Sequence, residues 1–286
     1  MTNPEKLLLI ILDGVPYRNF RRLFGNLEGW VASGEARVRR MRSVLPSTSS
    51  CCYASIHTGL PPQIHGVTGN TQRRRLEVPD VFGELARAGR KTGAVAFSWW
   101  SELFHQMPFD PVRDIELDNP QGPIHHGRFH TMSDATEANQ MTPSDADLFA
   151  TLTYLCEAKG IDYGLFHTLT LDSMGHRFGH ANREMNDACF YLDAALAPYL
   201  IRWRKLGYEV IVTADHGQDD LGHHGGAGAD QQDVALYYFG DSDLPPEDDL
   251  LDQLALAPSI LTRMGAPVPQ EMNASPFLSP GRVPHS

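Results

Sequence analysis

The sequence predicts an α/β fold, with a mostly parallel central sheet and helices on both of its faces. Two observations carry this. Strand-length apolar runs alternate along the chain with stretches of helical period, the pattern of repeated β–α–β units. Three of those runs, Leu7–Leu12, Tyr163–Leu171 and Tyr208–Thr213, also lead into an aspartate: Asp13, Asp172 and Asp215. In open parallel sheets, ligands bind outside the carboxyl ends of the strands. Three acids at three strand ends therefore predict one functional edge.

Each element has its own warrant. Leu7–Leu12 is a continuous apolar run that suits a strand buried on both faces. The hydroxyl-rich stretch Pro46–Ser50 precedes a segment able to form a helix, which Thr58-Gly59 ends. A hydroxyl at such a helix start stands where N–H groups and the helix dipole favour anions, although an ordinary N-cap is the simpler reading. Val81–Ala88 reads as an amphipathic helix broken by Gly89, and Lys91–Trp99 as the next strand. Segment 101–143 is rich in Pro, Gly, His and Asp with weak periodicity, and reads as an insertion or lid over the functional edge. Tyr163–Leu171 is a third strand, Arg183–Lys205 a long helix stopped by Gly207, Tyr208–Thr213 a fourth strand and Val234–Phe239 a fifth. Segment 241–249 reads as an acidic surface loop, and the last dozen residues, with Pro276, Pro280 and Pro284, as a tail.

With 286 residues, 42% of them hydrophobic, the chain can form one domain over 1–286 with a sizeable core, which excludes a disordered class. A net charge of −11 argues against binding nucleic-acid polymers. The run Leu7–Leu12 falls far short of the ~20 apolar residues of a membrane span, so no membrane partner is expected. Cys51, Cys52, Cys156 and Cys189 lack zinc-type spacing, and the adjacent pair is poorly placed for a disulfide. A reduced, cytoplasmic setting follows as the expectation. These patterns do not encode an oligomeric state.

The chemistry concentrates in short motifs. In Asp172-Ser-Met-Gly-His176 the acid and the imidazole are four apart, so on a helix they share a face and can hold one cation; a capping acid beside an unrelated His is the plainer alternative. Asp215-His216-Gly217 sets a charge and a polar ring side by side at a strand end, where both need partners. His223 and His224 lie in a glycine-rich loop that lets the backbone approach a ligand closely. From Ala36 to Arg75 there are seven arginines and no acid, which reads either as an anion clamp or as a solvated face. Trp99 and Trp100 suit either stacking on a flat group or the core, and His125, His126 and His130 a plain surface loop.

Taken in order, Leu-Ile-Ile-Leu-Asp13-Gly, Pro46-Ser…Thr58-Gly-Leu-Pro-Pro-Gln-Ile-His-Gly66, Asp172-Ser-Met-Gly-His176, Thr213-Ala-Asp-His-Gly217 and Gly222-His-His-Gly-Gly226 resemble the alkaline phosphatase superfamily. Within it the chain is most similar to the type I phosphodiesterase/nucleotide pyrophosphatase branch. The resemblance implies an alkaline-phosphatase-like three-layer α/β/α sandwich and two divalent metal ions. One ion is expected on Asp172, His176 and His224, with His223 competing with His224. The other is expected on Asp13, Asp215 and His216, touching the nucleophile oxygen as well. Mixed His and Asp donors favour Zn²⁺, with Mn²⁺ the alternative. The nucleophile of that branch lies nine residues before the Thr of the Thr-Gly pair, which gives Ser49, flanked by Thr48 and Ser50. The sequence departs from the branch at Cys52, where an Asn is expected, and at Ser50 and Cys51, in place of an aromatic residue and a proline.

The expected function is thus a two-metal phosphoric ester hydrolase. It would act on a small anionic diester or pyrophosphate through a covalent phospho-enzyme at Ser49. A phosphomonoesterase or phosphonate hydrolase is the alternative within the superfamily. A catalytically weak metal-containing binding protein is the alternative outside enzymes, and Cys52 invites it.

Overall fold

The computed structural model describes residues 6–133 and 141–281. Nine described strands form one sheet: β1 (Lys6–Leu12), β2 (Arg37–Arg42), β3 (Thr92–Phe97), β4 (Glu116–Asp118), β5 (His126–His130), β6 (Tyr163–Thr168), β7 (Tyr208–Thr213), β8 (Asp233–Phe239) and β9 (Leu250–Asp252). Their order across the sheet is β4-β5-β3-β6-β1-β7-β8-β2-β9. The five from β5 to β7 are parallel, whereas β8 runs antiparallel to both neighbours and β4 antiparallel to β5. The unbroken apolar run of β1 is explained by its central place, where Leu7 to Leu12 are all buried.

Helices cover both faces. Tyr17–Leu23, Gly25–Ala32, Asp145–Tyr154 and Arg183–Lys205 pack together on one side. Ser49–Thr58, Val81–Arg87, Ser98–Phe104 and Leu256–Arg263 pack together on the other. The arrangement is the expected three-layer α/β/α sandwich. In the long helix, Leu192, Leu196, Leu200 and Trp203 recur at helical spacing and are buried, and Asn182 caps its start by accepting from Met185 N at 3.1 Å.

Register fixes the functional edge. Leu12 stands opposite Thr168 and Ile11 opposite Thr213, so β1, β6 and β7 end level with one another. The turns that follow them carry Asp13, Asp172 and Asp215 to one place.

Several boundaries differ from the sequence reading. The strand expected over 91–99 stops at Phe97, because Ser98–Phe104 forms a helix. The strand expected through Leu171 stops at Thr168, so Asp172 is the third residue of the helix Thr170–Phe178. The segment 101–143 is not simply a loop over the edge: His126–His130 continues the parallel sheet beside β3, and Glu116–Asp118 borders it. The short β5 holds too little apolar sequence to announce itself. Residues 134–140 of that segment, and Pro284 of the expected tail, lie outside the described residues. Among the described residues, no helix is long and apolar enough to cross a membrane.

Candidate metal centre and nucleophile

Asp13 follows β1 directly and is fully buried. The next residue, Gly14, has φ +74°, and a Cβ there would lie 2.9 Å from both the Cα and Oδ1 of Asp172. Glycine is what lets the end of β1 approach the Asp172 helix this closely. Asp215 and His216 leave β7 in the same buried space, with His216 Nε2 3.3 Å from Asp215 Oδ2 and 3.5 Å from Asp13 Oδ1. One donor atom each of Asp13, Asp215 and His216 lie within 4.8 Å of one another, and so do those of Asp172, His216 and His224.

The nucleophile candidates start the helix Ser49–Thr58, for which Thr48 is the N-cap position. Ser49 Oγ lies 3.1 Å from His216 Nε2. Its neighbours do not share this contact: Thr48 Oγ1 donates to Cys51 Sγ at 3.1 Å, and Ser50 Oγ is buried without a partner among the described residues. His224 stacks on His216 with ring centroids 4.2 Å apart, and His176 Nε2 lies 3.4 Å from Asp172 Oδ2. All seven residues singled out from the sequence therefore meet at one edge of the sheet. His223 points away, its Nδ1 3.9 Å from Asp219 and its side chain 70% exposed.

Burial and like charge dominate the electrostatics. Burial, aided by the neighbouring Asp172 charge, raises the Asp13 carboxyl to about 6. Burial together with Asp13 and Asp172 pushes Asp215 well above the ordinary carboxylate range. Asp172 goes the other way: burial opposes its charge, but the imidazoles of His176, His224 and His216 outweigh that and hold it low. Burial, with His224 beside it, lowers His216 to about 4, so its imidazole is neutral near neutral pH. The Nδ1 of His216 faces the Gly217 carbonyl at 3.1 Å and donates to it, which leaves the Nε2 lone pair toward Asp13, Asp215 and Ser49.

The donor set fits divalent cations. Asp13 Oδ1 and Asp215 Oδ2 are buried with no hydrogen-bond partner among the described residues. An orphaned buried carboxylate oxygen is costly unless a cation satisfies it. Two such oxygens next to a neutral imidazole and a serine hydroxyl make a nitrogen-and-oxygen ligand set of the kind transition metals take.

Four residues escaped the sequence reading. Tyr53 Oη and His167 Nε2 both donate to Asp13 Oδ2, His167 at 2.9 Å. Gln218 Nε2 donates to Asp172 Oδ1 at 2.5 Å, reaching it past Gly175, where any Cβ would meet Gln218 Oε1 at 1.7 Å. Asn70 Oδ1 accepts from Ser50 N at 3.0 Å, which sets an amide beside the start of the Ser49–Thr58 helix. Only His167 had a sequence signal, as a lone imidazole in an apolar strand. Cys52 is fully buried beneath this centre, and its burial next to Asp215 keeps its thiol far from ionising.

The arginine window divides. On β2, Arg42 grips Asp233 at 2.8 and 3.1 Å, and Arg37 donates to the carbonyls of Gly240 and Ser242. These residues tie down the far side of the sheet. Arg73 lies nearer the centre: it pairs with Glu102 at 2.7 Å, donates to the Asn70 carbonyl and sits 3.9 Å over the Trp99 ring.

Comparison with known proteins gives the same direction as the geometry. The chain is 23% identical over 247 residues to the catalytic subunit of human GPI ethanolamine phosphate transferase 3, covering 82% of this chain and 20% of that protein. It is 23% identical over 249 residues to venom phosphodiesterase 2 of Crotalus adamanteus, covering 83% of this chain and 29% of the relative. The chain thus spans less than a third of the length of either relative. The fold matches that of murine ectonucleotide pyrophosphatase/phosphodiesterase 5 with a TM-score of 0.70 at 14% identity, covering 96% of this chain and 100% of that one. The type I phosphodiesterase/nucleotide pyrophosphatase family matches residues 7–231, which hold every residue of the centre, and the chain belongs to that family.

Proposed function

We propose that this chain is a two-metal phosphoric ester hydrolase that cleaves phosphodiester or pyrophosphate bonds through a covalent phospho-enzyme intermediate on Ser49. The observation that carries the reading is the place of Ser49 Oγ: at a helix N-terminus, 3.1 Å from an imidazole that shares a buried space with two orphaned carboxylate oxygens. Asp13, Asp215 and His216 would hold one ion, and Asp172, His176 and His224 the other, with Zn²⁺ the expected metal. When bound, the ions lower the pKa of the serine hydroxyl and offset phosphoryl charge.

The chain's own groups do the rest. Ser49 Oγ forms a bond to phosphorus as the bond to the leaving oxygen breaks, and the hydroxyl proton ends on the departing group or in solvent. Water then attacks phosphorus in the Ser49-bound ester, releasing the phosphorylated product that retains the other substituent and returning the serine hydroxyl. Of the first backbone N–H groups of the Ser49 helix, which have no intrahelical acceptor, that of Ser50 is taken by Asn70 Oδ1, and those of Ser49 and Cys51 suit a non-bridging oxygen. Asn70 accepts from Ser50 N through Oδ1, and its amide nitrogen is the group that would donate to substrate at the same end. That amide supplies at another position the contact that a thiol at Cys52 cannot. The substrate is expected to be small and anionic. The names of the relatives, a phosphodiesterase and an ethanolamine phosphate transferase, support phosphoryl chemistry. Four free, buried cysteines support a reducing, cytoplasmic setting.

The test compares hydrolysis of a nitrophenyl phosphodiester with that of the monoester, supplying Zn²⁺ and Mn²⁺ in turn. Preferential diester turnover is expected. Faster monoester turnover would reassign the chain as a phosphatase, and metal binding without turnover of either ester would make it a binding protein.

A further inference from the structure

Asp13 and Asp215 are each tied to the protein through one oxygen only, whereas Asp172 is approached on both, with His176 Nε2 3.4 Å from its Oδ2. Asp13 Oδ2 receives both Tyr53 Oη and His167 Nε2, Asp172 Oδ1 receives Gln218 Nε2, and Asp215 Oδ1 receives Gly14 N at 3.3 Å. A carboxylate oxygen has two lone-pair sites, so at Asp13 the two donors saturate Oδ2, and Oδ1 has no hydrogen-bond partner among the described residues. The donors are themselves held. Tyr53 is four residues after Ser49 on one helix and therefore shares its face. Its ring stacks on Trp100 at 4.7 Å and meets His167 edge-on at 4.7 Å.

We propose that Tyr53 and His167 are positioning residues that restrict Asp13 to a single metal-facing oxygen, and so bias the centre toward a low-coordination ion such as Zn²⁺. The inference rests on the metal reading above. A carboxylate free to offer both oxygens adds a ligand and favours ions that demand near-octahedral oxygen shells. With Oδ2 taken, Asp13 can contribute one bond, and Asp215, whose Oδ1 accepts from Gly14 N, is limited in the same way. Zinc, content with four ligands, suits such a centre.

Cobalt reports coordination number directly, because four-coordinate Co²⁺ absorbs visible light far more strongly than six-coordinate Co²⁺. The experiment loads the full chain with Co²⁺ and records absorption per bound ion for wild type, Tyr53→Phe, His167→Leu and His167→Gln. Competition titrations give the Zn²⁺ to Mn²⁺ affinity ratio, and metal-free thermal melts show that each variant folds. Wild type should give the strong spectrum. Tyr53→Phe and His167→Leu should weaken it and lower the Zn²⁺ preference by about 10- to 100-fold. His167→Gln, which keeps an N–H donor, should retain more of both. If wild type binds cobalt and Tyr53→Phe, folded, leaves spectrum and affinity ratio unchanged, this inference fails while the metal centre stands. If wild type binds no cobalt at all, both fail together.

Discussion

At the scale of single residues, Ser49 and His224 carry the sharpest expectations. Ser49→Ala removes the only one of three neighbouring hydroxyls whose oxygen faces His216. Turnover should fall roughly a thousandfold or more while metal content is largely kept, since the charge-stabilising groups survive. A near-normal rate with Thr48→Ala or Ser50→Ala inactive would move the nucleophile by one residue. His224→Ala should weaken one of the two ions, and His223→Ala should be silent. Metal analysis after dialysis decides between them, because His224 stacks against His216 whereas His223 is 70% exposed. The clustered Asp and His residues proposed as ligands were legible because their type, spacing and strand-end positions are unusual together. Tyr53, Gln218 and Asn70 were not, because each comes from a different element and looks ordinary until the fold brings it in.

At the scale of elements, Asp80 shows a cap that works against its own charge. It starts the helix Val81–Arg87 by accepting from Gly83 N at 3.2 Å. Burial raises its carboxyl to about 6, more than the hydrogen bonds and nearby Arg75 and Arg87 recover. A pKa above the ordinary value of 3.8 means that the folded state is favoured most below that value. The advantage is lost as pH rises through about 6. Asp80→Asn keeps the cap without the buried charge. It should stabilise the fold by about 1–2 kcal/mol at pH 7.5, with the gain vanishing toward pH 4, as denaturant melts across that range would show. An unchanged stability at every pH would mean that solvent reaches the carboxylate. The strands show why element reading stops short. The sequence of β2, Arg-Val-Arg-Arg-Met-Arg, resembles a charged surface run, and only its pairing with β8 and the Arg42–Asp233 grip reveal a strand.

At the scale of the whole molecule, three buried acids meet at one edge of a chain already at −11. Bound cations should therefore add to global stability as well as to chemistry. Chelation should lower the melting temperature by about 5–10 °C, and readdition of Zn²⁺ should restore it. A melting curve indifferent to chelator and metal would speak against the centre. The sheet's parallel middle was readable from the apolar runs of β1, β3, β6 and β7. Its margins, β4, β5 and β9, were not, because strands of three to five residues carry too little pattern.

The centre's proposed ligands run from residue 13 to residue 224, gathered by level strand ends. No local stretch holds either full set: Asp13, the pair Asp172 and His176, and the group Asp215, His216 and His224 lie far apart in sequence. A metal ion can therefore find its full set only after β1, β6 and β7 have aligned, which places capture late on the folding route. Binding that postdates the rate-limiting step leaves the refolding rate alone and acts on the reverse reaction. The ions should work as a latch on unfolding: Zn²⁺ should lengthen the lifetime of the native state without hastening its birth.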